Sequence, residues 1–563
     1  MDNFDVQQAD FAFEDARGSD LNVAENFNEG RRLRRAVKRQ NLPRNNTISP
    51  EVLTSLPSRA VCEDLVACYL RTFQPIYRIV DVIEFRREFD RFWVESNSDR
   101  EAFTMELLLI LALGSTFHIE ATETQPPLKT HAPTWISTAQ AWLTGPSERS
   151  TMNLGGVQVY CLLVLARQAT YICPGPTWIS TSSLLSTAMS IGLHRDPGLF
   201  KSLSVREAEM RKRVWAAVVE LAIQAHIDAP VQLLLTSADF DTSAPLNLND
   251  EDLSLHEKGA DLVPRIGITD SSLQIQLCKS QSLRLDIARS LNDLSQPDYN
   301  TVLRLGENLR SATRELSVFF RDASAKQNTF IDFHRRLLDI LMHRMSLLLY
   351  RSHMVASKSE PRFYLARKLC VDSATAIISH SGDTMKGGSS NLLLLASVGR
   401  GIFKGPFDLN AILVVILELF SQIGDAGSLS SADTLDQLQR SNRKSLMSHL
   451  EKVKDGLYAL IREKGSVSLK AYFILSLLLS VAKEAEEGRS MTRGSTARTL
   501  DELLRGTLEI LRRHPGLQFG GVRGIEEPGV VGDGGFDDTL LSLFRMDEWV
   551  SSPGHISNSS SSR

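Results

Sequence analysis

Residues 184–252 read LLSTAMSIGLHRDPGLFKSLSVREAEMRKRVWAAVVELAIQAHIDAPVQLLLTSADFDTSAPLNLNDED, and this stretch decides the fold class. Its first helical pattern stops at Gly192. Glycine there supplies the positive φ that closes a helix without a Cβ penalty. Ser204-Val205-Arg206-Glu207 then has the spacing of a capping box, with the hydroxyl and the carboxylate each satisfying an orphan backbone N–H of the other's residue. The helix it opens predicts Ala208, Trp215, Val218, Val219 and Ala222 on one apolar stripe, with Trp215 as the anchor of a core. Asp239 to Asp252, DFDTSAPLNLNDED, reads as a polar loop. Arg211 and Arg213 are placed to pair with acids of that loop such as Asp239 or Asp250.

Working outward, the same periodicity holds from about Thr54 to Arg513. Phe85, Phe89 and Phe92 fall on one helix face. Long helical patterns recur at 153–170, 177–191, 270–294, 299–321, 328–356, 362–381, 408–424, 433–463, 468–487 and 498–513. There is no sustained alternation of strand type. The expectation is an all-α fold, a multi-helix domain of packed helical hairpins with disordered N- and C-terminal tails. The apolar runs Ala411–Leu417 and Ala471–Ala482 fall short of the roughly 18 residues a membrane span needs, so they read as buried core helices and no membrane is expected. The Gly/Ser-rich segment at 382–390 interrupts the helical pattern, and the Gly-rich segment at 516–535 ends it. The chain is divided into four segments: 1–53, disordered and acidic then basic; 54–425, the main helical domain; 426–514, a C-terminal helical extension; and 515–563, a Gly/Ser-rich acidic tail.

The net charge of −4 over 563 residues excludes a chain that binds nucleic acid by its overall field. Charge is instead partitioned locally. Residues 1–30 carry −7, interspersed with Phe4, Phe11, Phe13 and Phe27, which fits a plain disordered tail or an activation-type peptide. Arg31, Arg32, Arg34, Arg35, Lys38, Arg39 and Arg44 follow without an acid. That run is a candidate nuclear import signal or phosphate-contacting arm, against a solvated charge run. Near the other end, 536–549 mixes acids with Leu540, Leu541, Phe544 and Trp549. It is a candidate activation peptide that folds on a coactivator, or a terminal helix docking on its own domain.

Catalytic and metal chemistry lacks its required partners. His194-Arg195-Asp196 matches a kinase triplet, but Lys201 stands where that motif needs Asn. Asp239-x-Asp241-x-Ser243 starts like a calcium loop, but Ala244 holds the glycine position. The cysteines, Cys62, Cys68, Cys161, Cys173, Cys278 and Cys370, are scattered without C-x-x-C spacing and read as buried free thiols. No enzyme, cofactor or metal site is expected.

The segment as a whole resembles the middle homology region of fungal zinc binuclear cluster transcription factors. The resemblance is carried by Gly192, His194, Arg195 and Asp196, then by Glu209, Arg211, Arg213 and Trp215, and by the Asp/Pro/Asn-rich run at 239–252. Tyr69, Phe73, Pro75, Ile76 and Phe85, and the runs Leu347–His353 and Arg367–Ala374, agree with it, so it covers roughly 55–425. The usual Gly-Arg-Pro turn is Asp228-Ala229-Pro230 here, and the six clustered cysteines expected upstream are missing from the sequence. The resemblance implies a nuclear, pathway-specific regulator of transcription, of the kind associated with secondary-metabolite gene clusters; the departure upstream makes it either one that acts without its own zinc cluster or a truncation of a complete zinc-cluster factor. It implies a homo- or heterodimer with a zinc-cluster factor, coactivator contacts, and DNA reached directly or through the partner. The alternative is an inhibitory or effector-binding protein that dimerises with a complete zinc-cluster factor. The motif charges then serve a structural network, with an effector pocket beneath it as the second reading.

Overall fold

The computed structural model describes residues 50–487 apart from 95–99, 119–127, 146–150, 173–174, 201, 230, 258–261, 296, 325–328, 382–389, 427–432 and 465–468, together with Glu29, Arg32, Leu33, Asp501, Arg505 and Gly506. Every regular element among the described residues is helical. In chain order they begin with α1 (Pro50–Thr54), α2 (Arg59–Thr72), α3 (Gln74–Tyr77), α4 (Val82–Phe92) and α5 (Glu101–Gly114). Next come α6 (Ala132–Thr144), α7 (Leu154–Thr170), α8 (Thr177–Ser190), α9 (Val205–Ile227), α10 (Asp250–Glu257), α11 (Ser272–Lys279) and α12 (Gln281–Leu291). The remainder are α13 (Tyr299–Ser324), α14 (Thr329–Ala356), α15 (Tyr364–Ser379), α16 (Ser390–Val398), α17 (Leu409–Ala426), α18 (Asp433–Lys464) and α19 (Leu469–Glu486).

Two helices sit inside the others. α5, EAFTMELLLILALG, is apolar on all sides, and Phe103, Met105 and Leu107 through Leu113 are buried. An all-round apolar helix has no solvent face to offer, so α2, α6 and α7 enclose it. α9 packs against α7, α8 and α12, and it also touches α3 and α11. The hairpin of α14 and α15 forms the next layer, α17 and α18 pack onto α15, and α19 packs onto α17 and α18. One continuous apolar core runs from Val52 to Ala482.

Most of the sequence-predicted helices match to within a few residues, and three readings need correction. The pattern at 270–294 is two helices, broken where Ser280 N–H donates to Leu277 O and the Arg284 guanidinium donates to the Ser280 hydroxyl. The polar loop ends at Asn249, because Asp250, Glu251 and Asp252 form the first turn of α10, where carboxylates suit the positive helix end. The single stripe of α9 is also too narrow: Ala208 is half-buried, and from Arg213 to Ile227 every residue is buried. The run at 498–513 lies outside the described residues except for Asp501, Arg505 and Gly506.

The thiol reading stands for Cys62, Cys68, Cys161 and Cys370, whereas Cys278 is only partly buried and Cys173 lies outside the described residues. Burial pushes the Cys62, Cys278 and Cys370 thiols up to about 12, which keeps them protonated.

Two tests follow from α5. A Cβ on Gly114 would stand 2.1 Å from Leu65 O, where α2 crosses. Gly114→Ala should therefore lower stability by about 2 kcal/mol or more in urea denaturation, and an unchanged midpoint would refute the close crossing. Glu106, also on α5, is raised to about 8, first by burial and then by the Asp81 charge. A carboxyl raised on folding binds more protons in the native state, so its contribution is present at acid pH and is lost as pH climbs from about 4.5 toward 8. The melting temperature of Glu106→Gln relative to wild type should rise steadily across that window, and a flat difference would contradict the shift.

Candidate functional site

The candidate site is built along α9. Ser204 caps it as the sequence predicts: Glu207 N–H donates to the Ser204 hydroxyl at 3.2 Å, and Ser204 N–H donates to Glu207 Oε2 at 2.9 Å. α9 then carries Glu209, Arg213, Glu220, Gln224 and His226 into the interior, each at most 3% exposed. Water cannot solvate these groups, so each is met by another part of the chain.

Arg206, at the start of α9, grips Asp81 with the Nε and Nη2 edge of its guanidinium, at 2.6 and 2.7 Å, and reaches Glu257 at 3.0 Å. Burial works against the Asp81 charge, but Arg206 and the first N–H groups of α4 hold its carboxyl below the usual range. Two turns on, Arg213 lies 3.4 Å from Glu209 and donates to Asp250 Oδ1 at 2.7 Å. Arg78 donates to the same Asp250 oxygen. Glu209 Oε1 also accepts Leu246 N–H at 3.0 Å, and burial raises its pKa against the opposing pull of Arg213. Gln274 donates to Tyr77 O and Arg213 O, tying α11 to both.

Deeper along α9, Arg284 of α12 meets Glu220 at 2.6 Å, and both are buried. Gln224 donates to Glu220 and accepts from the Tyr77 hydroxyl at 3.1 Å. At the C-terminal end Asp228 pairs with Arg344 of α14, which also reaches Asp408 at 2.6 Å. Burial opposes the Arg344 charge, but Asp228 and Asp408 together hold it above the ordinary arginine value. Asp228 occupies the turn that departs from the family's Gly-Arg-Pro, and its carboxylate is spent on this pair.

The other motif residues form a turn stapled to the 236–249 loop. Gly192 adopts φ 75°, with Gly192 N–H donating to Met189 O and Leu193 N–H to Ala188 O, the paired bonds of a Schellman closure. Asp241 accepts from Arg195 Nε at 3.0 Å and from Asp196 N–H at 2.6 Å. Asp196 accepts from Gly198 N–H and the Ser243 hydroxyl, contacts that hold its carboxyl below the usual range. The calcium-loop look-alike is thus occupied in binding the turn to the loop. The His194 ring and Phe240 stand against buried Trp215, with centroids at 6.2 and 5.5 Å.

The predicted pairing of Arg213 with Asp250 is present. That of Arg211 with a loop acid is not: Arg211 donates to Ile191 O at 2.7 Å and lies over the Phe200 ring, while Asp239 accepts from Thr236. Sequence reading missed Arg78, Glu220, Arg284 and Arg344. Arg78 carried no local signal at all, since it holds a left-handed φ of 48° that non-glycine residues rarely adopt. Of the other candidates, Arg32 is exposed, 3.8 Å from Glu29. Arg31, Arg34, Arg35, Lys38 and Arg39, and Leu540, Leu541, Phe544 and Trp549, lie outside the described residues.

Residues 66–342, which contain the whole of this network up to α14, match the fungal-specific transcription factor domain. The chain belongs to that family. It is 39% identical over 504 residues to the transcription factor opdR of Penicillium oxalicum, covering 86% of this chain and 63% of the relative. It is 28% identical over 498 residues to the transcription factor lepE of Aspergillus flavus, covering 87% and 60%. It is 28% identical over 373 residues to the aspyridones cluster regulator apdR of Emericella nidulans, covering 63% and 47%. The chain therefore spans about three fifths or less of the length of these relatives. No single helix among the described residues is long and apolar enough to cross a membrane.

Magnitudes separate the two kinds of contact. The Arg195–Asp241 pair is about half-exposed on both sides, and such pairs contribute about 1 kcal/mol at most. Asp250 neutralises two buried guanidinia, and removing one side of a buried pair costs about 3–5 kcal/mol. Asp250→Asn should cost that much in urea denaturation, while Asp241→Asn should cost about 1 kcal/mol or less. Equal effects would contradict the division of the motif into a buried network and a surface staple.

Proposed function

We propose that this chain regulates transcription of a pathway-specific gene set, such as a secondary-metabolite gene cluster. The observation that carries the reading is the family domain at 66–342, together with 39% identity to a transcription factor over 504 residues. A relative named as a cluster regulator supports the narrower pathway role. The family is one of transcription factors rather than enzymes, and the motif residues accord with that: Glu209, Arg213 and Asp250 are spent on one another. A buried network of this kind makes a rigid scaffold, so contacts with the gene and with coactivators fall to other segments.

Arg31, Arg32, Arg34, Arg35, Lys38 and Arg39 direct the chain to the nucleus in this reading, and Leu540, Leu541, Phe544 and Trp549 engage a coactivator. DNA is reached directly or through a zinc-cluster transcription factor with which the chain forms a homo- or heterodimer.

Replacing the six basic residues with alanine should move a fluorescently tagged chain from nucleus to cytoplasm, and unchanged nuclear signal would refute their role in import. Tethered to a reporter promoter by a heterologous DNA-binding domain, the whole chain should activate, and alanine at Leu540, Leu541, Phe544 and Trp549 should abolish that activation. Silence of the wild-type tether, joined to repression when the chain is co-expressed with a zinc-cluster relative, would overturn the activator reading in favour of the inhibitory one.

A further inference from the structure

A cleft of about 530 Å³ opens beside the Arg78–Asp250 pair. It lies where α2 to α4, the start of α10, the run into α11 and the α13–α14 hairpin converge. Its volume is that of a site for a small organic molecule. Val82, Ile83, Leu273, Phe319, Phe320 and Ile331 form apolar walls.

The polar groups of the cleft are unevenly matched. Asp250 is occupied by Arg78 and Arg213. Asp270 accepts Asp250 N–H at 3.0 Å, and Glu251 and Asp270 both act on Arg265, which is clamped to Asp252 at 2.6 Å. Asp250 thus has two cations of its own, and Asp270 is held by the Asp250 N–H. Arg86 also lines the cleft; it is exposed and makes no ion pair among the described residues. Arg78 lines the same cleft at 3% exposure, and its Nε finds no acceptor among the described residues. A guanidinium N–H buried without an acceptor is costly, and here it belongs to a residue whose backbone is already held in the left-handed region at φ 48°. Strain of this kind persists where the surroundings impose it, and such positions cluster at ligand sites.

We infer that this cleft binds an amphipathic organic anion, its acidic group taken by Arg86 and Arg78 and its apolar body held between α4 and the end of α13. A molecule without an acceptor would leave Arg78 Nε unmet, and a neutral one would leave Arg86 without a counter-charge among the described residues. A small inorganic anion would leave the apolar walls wet. Occupancy would place ligand against Arg78, and through Asp250 against Arg213 of α9, so the site has a direct route to the central network. The site rests on this geometry alone, and it would bind whether or not the chain controls a gene.

Anilinonaphthalene sulfonate tests this directly, with neutral N-phenylnaphthylamine as the uncharged control. In fluorescence titrations of the full chain the sulfonate should saturate a single site and bind more tightly than the neutral probe. Arg86→Glu should weaken the sulfonate by about tenfold and leave the neutral probe within about twofold. Ile83→Trp, which fills the cleft, should remove both, with helical circular dichroism as the folding control. Because a tryptophan could unsettle α4, the exposed Arg86→Glu substitution carries the test independently. Sulfonate binding unchanged by Arg86→Glu, or both probes weakened alike, would overturn the anion site. Binding retained in folded Ile83→Trp would move it elsewhere and overturn the assignment to this cleft.

Discussion

A helix that carries charge through the middle of a protein constrains everything around it. α9 holds Glu209, Arg213 and Glu220 where solvent does not reach. A buried ion left unpaired costs several kcal/mol, comparable to a large share of a domain's net stability of about 5–15 kcal/mol. Each of these side chains therefore dictates the position of another segment. Arg213 fixes residues 78 and 250, Glu220 fixes α12, and Asp228, just beyond the helix end, fixes α14 and the start of α17. Apolar packing supplies the bulk of the driving force, but it is tolerant of small slips. The ion pairs are not tolerant, and they select one arrangement among the many that would bury the same surface.

How legible this was from sequence depends on distance along the chain. The Ser204–Glu207 capping box and the Gly192 closure are contacts within a few residues, and both read correctly because their donors and acceptors are set by helix geometry. The Arg213–Asp250 pair spans 37 residues and was still readable, since a basic helix and an acidic loop lay in one motif. Arg284 with Glu220 and Arg344 with Asp228 and Asp408 were not, because nothing in a helical period distinguishes a buried arginine from a solvated one. Arg211 shows the converse error: its spacing matched Arg213, but it faces the end of α8 and satisfies Ile191 O instead. The Ser280 break was hidden because apolar spacing continues across it and only the local hydrogen bonds change.

The same distance argument applies to the cleft. Its walls come from residues 70 to 334, and no short window holds more than a few of them. Sequence offered an effector pocket only as the second reading, after a structural network, and the cleft proposed here lies beside that network at Arg78 and Asp250. The family domain thus joins two things in one place: a set of ion pairs that makes the helical body rigid, and an opening whose occupant would press on one of those pairs. Motif residues farther out, such as Arg195 and Asp196, hold the 236–249 loop over Trp215 and serve the same scaffold from its surface.

The central claim is that the charges of α9 act as pairs, each worthless without its partner. A double-mutant cycle on Glu220 and Arg284 measures this most directly, using Glu220→Leu, Arg284→Met and the double variant of the full chain in urea denaturation. Each single change should cost about 3–5 kcal/mol, and the double should cost far less than their sum, because both charges leave together. Costs that add to within about 0.5 kcal/mol would show the two residues to be independent, and the account of α9 as the constraint on the fold would fail.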